Sequence, residues 1–183
     1  METVPLSDED RRALAVWAAD GAERVLPLFE ERVPDDSRPR EALDGTRAFA
    51  NGDQHRGPLR PLAWAALAAA KETGDQVAYA AARAAAAAVA IPYIHPIATP
   101  HQVKHIIGPP LYAARARDLA GEDGEEEIRW ALAHADPKVR EITRRFPPGK
   151  HGRTETGALS TRIEDGLRAP ARQRACGGAT RRR

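Results

Sequence analysis

The chain has 183 residues, 42% hydrophobic and 30% charged, which suits one domain with a buried core and excludes both a bulk-disordered chain and an integral membrane protein. The formal net charge of +2 averages two unlike parts: six Arg and no acid lie from Arg168 onward, leaving residues 1 to 167 with 22 basic and 26 acidic residues. An acidic body disfavours a nucleic-acid partner, which needs clustered Lys and Arg to neutralise phosphates.

Ser7 before Asp8, Glu9 and Asp10 predicts a capped helix start, with acids near the positive end of the dipole. Leu14, Trp17, Ala18, Gly21, Val25, Leu28 and Phe29 then recur at three- and four-residue steps, and Pro27 predicts a kink or break around Glu23 to Leu26. A second helix, capped by Asp36 or Ser37, runs to about Asn51 with Ala42, Leu43, Thr46, Phe49 and Ala50 inward. A third spans Pro58 to Thr73, with Leu59, Leu62, Ala63, Ala66, Leu67 and Ala70 as its inner stripe, and Gly74 stops it.

Asp75 caps a fourth helix whose run from Ala78 to Ala90 is almost all Ala. With 37 Ala in the chain and only nine aromatic residues, the expected role of this helix is a central one, packed at close range because alanine lets backbones approach. Thr99 and Pro100 start another helix, which Gly108-Pro109-Pro110 is expected to interrupt before Leu111 to Ala120. Glu125 to Ala135 and a segment opened by Asp136-Pro137 give two more helices, the latter burying Val139, Ile142 and Phe146. Pro147-Pro148-Gly149 is expected to end the compact part, followed by a short helix around Thr156 to Leu167. No stretch alternates apolar and polar residues at strand length.

These elements predict an all-α fold: a single compact multi-helix domain over 1–148, a linker and short helix over 149–168, and a mobile, disordered Arg-rich tail over 169–183. Ala84 to Val103 lacks formal charge, but its prolines, histidines and weakly apolar alanines make it a poor membrane span. The acidic N-terminus has no signal-peptide character, and Cys176 is the single cysteine, so a cytoplasmic protein without disulfides is expected.

The densest polar cluster is His95, His101, Gln102, Lys104 and His105. His101 and His105 are one helical turn apart, the spacing of paired metal ligands, yet no Asp or Glu occurs between Asp75 and Asp118 and Lys104 would oppose a cation. The same residues at a helix start offer amide and side-chain donors to an anion or a partner. A third reading, the one favoured, has them satisfying backbone carbonyls freed by the neighbouring prolines. Catalytic motifs are absent: the pattern GxxxxGK[ST] fails at Arg144 and His151, and neither GxSxG nor HExxH occurs. No catalytic residue, metal site or cofactor is therefore assigned.

Several segments carry a family resemblance. They are Asp10-Arg11-Arg12-Ala13-Leu14-Ala15-Val16-Trp17-Ala18-Ala19, Ala22-Glu23-Arg24-Val25-Leu26-Pro27-Leu28-Phe29-Glu30, Asp35 to Ala42, Pro100 to Tyr112, and Glu127-Ile128-Arg129-Trp130-Ala131-Leu132. Over roughly residues 6 to 148 the chain resembles the immunity-protein-5-like family of bacterial polymorphic toxin systems. The resemblance implies a small helical cytoplasmic protein that neutralises a cognate toxin by stoichiometric binding and needs no catalytic residue. The acidic body would complement a basic, nuclease-type toxin. The alternative from another class is a metal- or phosphate-ligand-dependent enzyme built on His95, His101, Lys104 and His105.

Overall fold

The computed structural model describes residues 2–170. At its start, Ser7 and Asp10 form a reciprocal capping box: the Ser7 hydroxyl accepts from the Asp10 amide at 3.1 Å, and the Asp10 carboxylate accepts from the Ser7 amide at 2.9 Å. This opens α1 (Asp8–Glu23), which buries Leu14, Trp17, Ala18 and Gly21. The break expected ahead of Pro27 is present, because α2 (Leu26–Glu30) is a separate turn of helix. Next come α3 (Arg38–Asn51) and α4 (Leu59–Glu72). Gly52 and Gly74, both at positive φ, follow these two helices as stops.

The alanine helix α5 (Gln76–Ala90), capped by Asp75 onto the Ala78 amide at 2.8 Å, lies at the centre. Ten of its fifteen residues are buried, and it packs against α1, α2, α3, α4 and the helix that follows. A 3₁₀ turn, Ile91–Tyr93, leads out of it. The segment beyond forms a single antiparallel bridge between Ile97 and Thr3, so the N-terminal residues are clasped alongside it.

The expected interruption at Gly108-Pro109-Pro110 is corrected. One continuous helix, α6 (Pro100–Leu119), runs through both prolines. Two interior prolines withhold amide donors from the carbonyls one turn earlier, at a cost of about 3 kcal/mol each in an isolated helix. Burial offsets it: Ile106, Ile107, Pro109, Pro110, Ala113 and Ala114 are all buried, and α6 packs most extensively on α5, so tertiary packing overrides local propensity. Gly108 fits this contact because a β-carbon there would stand 3.3 Å from the methyl of Ala87.

The chain closes with α7 (Gly124–His134), α8 (Pro137–Arg145) and α9 (Glu155–Arg168). Asp136 caps α8 through the Val139 amide at 2.8 Å, as its Asp-Pro start predicts. The expectation that the compact part ends at Gly149 is also corrected. Helix α9 packs on α6, α7 and α8 and adds Ile163 and Leu167 to the core. Gly157 lets the loop before α9 fold back over its first turn, since a β-carbon would fall 2.4 Å from the His151 carbonyl oxygen. The regular structure of the described residues is thus nine α-helices and one 3₁₀ turn, with no strand. The Arg-rich segment from 171 on, with Cys176, lies outside the described residues.

Candidate functional site

Charge is distributed in two opposite ways over this fold. Around α1, α7, α8 and α9, three buried carboxylates each hold at least one cationic partner. Asp10 lies 2.6 Å from Arg145 and 2.7 Å from Lys138, tying α1 to α8. Glu127, only 3% exposed, receives Arg24 at 2.6 Å and Arg117 at 3.1 Å, joining the end of α1 and α6 to α7. Glu164 accepts from Arg168 at 2.6 Å, from His151, and from the Gly149 amide, fixing the loop before α9. Burial alone would raise the Asp10 and Glu164 carboxyls. For Asp10 the hydrogen bonds of Arg145 and Lys138 outweigh it, and for Glu164 those of His151 and Arg168, so both carboxyls are held below their ordinary range.

The opposite arrangement is found in a groove of about 730 Å³ where α4, α5, α6 and the 150–160 segment meet. Its floor is the small-residue face of the central helix, Ala86, Ala87 and Ala90, with Ala63 and Gly108 beside it. Because these side chains are single methyls or less, α4 and α6 rise on either side as walls. Trp64, 66% exposed, stands on the α4 wall; Tyr112 stands on α6, and Tyr93 closes one end.

Arg60, Arg83, Lys104 and Lys150 line this groove together with His105 and His151, and among the described residues none that lines it is Asp or Glu. The two arginines are held by aromatic faces and, for Arg83, a hydroxyl. The Arg83 guanidinium lies 4.6 Å from the Tyr112 ring centroid and donates to the Tyr112 hydroxyl at 2.8 Å, and Arg60 lies 5.1 Å from the Tyr93 ring.

The five residues singled out from the sequence divide between roles. Gln102 is buried, and its side-chain oxygen accepts from the His95 amide at 3.1 Å, so it braces the turn before α6 by holding an amide rather than a carbonyl. His95, His101 and Lys104 are exposed, and His105 is half-buried. His101 and His105 do share a face, with ring centroids 5.3 Å apart in an edge arrangement. Burial, then the neighbouring His101 and His95, pushes His105 below the ordinary histidine range. Among the described residues no group of three or more His, Cys, Asp or Glu side chains is placed to hold a metal ion.

Only Lys104 and His105 of the five line the groove. Arg60, Trp64, Arg83, Tyr112 and Lys150 were not anticipated. One signal was available: Trp64 falls outside the inner stripe of α4 and sits four residues after Arg60, so the two occupy one outward face.

An all-α domain with a central alanine helix and an open, cation-rich aromatic groove is the class that fold and site define. The chain belongs to the Imm-5 like putative immunity protein family, whose model matches residues 5–138. No curated protein and no solved structure gives a significant match. Among the described residues no helix is long and apolar enough to cross a membrane.

Proposed function

We propose that this protein protects its cell by binding a cognate toxin stoichiometrically, as a protein–protein complex formed in the cytoplasm. The observation that carries this reading is the family match, which spans α1 to the start of α8 and so takes in the whole central packing of the fold. Immunity by occlusion asks for a stable folded surface rather than a reacting group, and a rigid helical domain supplies one. In this reading the exposed Lys104 and the half-buried His105 belong to the docking face, His95 and His101 flank it, and Gln102 holds the turn that presents them.

Co-expression tests the proposal. Cells producing a polymorphic toxin encoded beside this gene should survive when the chain is present and die when it is not. The purified pair should elute as a complex of fixed ratio in size-exclusion chromatography. Failure to protect against every toxin of the same genome removes the proposal.

A further inference from the structure

The average charge of residues 1 to 167 points to a basic partner, but the groove points the other way. Within it, Arg60, Arg83, Lys104 and Lys150 converge over an apolar alanine floor with no carboxylate among the lining residues. We infer that this groove is the toxin-docking site, and that its occupant is an acidic helical or extended segment of the toxin that lowers an apolar side chain onto Ala86, Ala87 and Ala90. The inference rests on the immunity reading above and adds to it the place of contact and the chemistry of the contacting segment.

Four observations favour a protein segment over the other anions a basic groove could take. Trp, Tyr and Arg are the residue types that dominate binding energy at protein interfaces, and Trp64, Tyr93, Tyr112, Arg60 and Arg83 gather here. Trp64 is 66% exposed, far more than the other two tryptophans, of which Trp17 is 5% exposed and donates to the Ala131 carbonyl at 2.9 Å. The charge is also local. Beyond the groove the body carries more acid than base, which repels a long polyphosphate but not a short acidic segment confined between α4 and α6. Arg83, already fixed by the Tyr112 ring and hydroxyl, meets a carboxylate with little ordering left to do.

The test uses the toxin domain against which the wild-type chain protects. Two variants are made, Trp64→Ala and the triple reversal Arg60→Glu, Lys104→Glu, Lys150→Glu, with Arg129→Glu on α7 as a charge control outside the groove. Circular dichroism confirms that each is folded. Calorimetry at about 150 mM salt should show affinity falling at least about 30-fold for both groove variants and little for the control, with protection lost in parallel.

Replacing the acidic residues of the toxin segment crosslinked to the groove with Lys should restore binding to the triple reversal. If folded groove variants bind and protect like wild type, the docking inference is overturned and the immunity reading stands. If the wild-type chain binds a fluorescein-labelled 20-nucleotide single strand at this salt and the reversal abolishes that while sparing the toxin, the groove is a nucleic-acid site and the inference is likewise overturned. A wild-type chain that protects against no toxin defeats the immunity reading itself.

Discussion

Two regions of the molecule handle charge in opposite fashion. Around α1, α7, α8 and α9, Asp10, Glu127 and Glu164 are buried with their cations; the Asp10 and Glu127 pairs join elements far apart in sequence, and the Glu164–Arg168 pair lies within α9. Towards α4 and α6, the cations face an apolar trough with no acid among its lining residues. Charges paired within the fold have their interaction energy committed to architecture. Charges left without counterions keep theirs for a visitor. The arrangement of Arg and Lys, not their number, therefore separates scaffold from candidate site.

The largest test of this division is to break a pair on the committed side. Glu127→Ala leaves Arg24 and Arg117 facing each other without their carboxylate, and should cost about 2 to 4 kcal/mol by chemical denaturation. That range starts lower than for a fully desolvated pair because both guanidiniums still reach water and Arg117 keeps Glu122. A destabilisation under about 1 kcal/mol would show the pair to be dispensable. Next, Ala88→Leu in the fully buried seam of α5 should cost about 1 to 3 kcal/mol, since the added carbons have no void to enter; an unchanged unfolding midpoint would refute the close packing.

Acid sharpens the same contrast. Asp10 and Glu164 titrate below their unfolded values, so their stabilisation is complete above the unfolded carboxyl range, near pH 4 to 4.5, and is lost as pH falls through the lower folded values. On the groove side, His105 also titrates below its unfolded value. The unfolded chain then binds its proton first, and stability declines as pH drops below about 6.5. In urea titrations across pH, His105→Gln should flatten the decline that begins near 6.5 and leave the one below pH 4.5 in place. If both limbs survive unchanged, His105 is not the group responsible.

The smallest effect belongs to the groove wall. Trp64→Ala and Lys104→Ala should each change stability by no more than about 0.5 kcal/mol, as exposed positions generally do. A melting temperature lowered by more than about 4 °C would place these residues with the scaffold.

Much of the scaffold side is readable from local chemistry. The capping run at Ser7, the break before Pro27, the Asp75 cap and the alanine run each have a cause within a few residues, and all appear where expected. Glu127 shows where local reading stops. It looks like one of three equivalent acids in the first turn of α7, yet Glu126 is exposed while Glu127 is sealed under Arg24 and Arg117, because burial depends on which face meets α1 and α6. The continuity of α6 through Pro109 and Pro110 was hidden for the same reason, since the packing that holds it comes from α5. Of the groove, a dense polar run revealed Lys104 and His105. Arg60, Arg83 and Lys150 are separated by tens of residues and share a site only after α4, α5 and the 150–160 segment have met.

The position of α5 also bears on biosynthesis. Helices α1 to α4, which cover most of it, leave the ribosome before it does, and only α6 is still to come. The nascent chain can bury one side of the alanine helix as soon as that helix emerges, and it waits only for the short Ile91–Tyr93 turn and the following loop before α6 seals the other. During that interval the exposed strip is made of methyl groups, whose small apolar area gives neighbouring nascent chains little to adhere to.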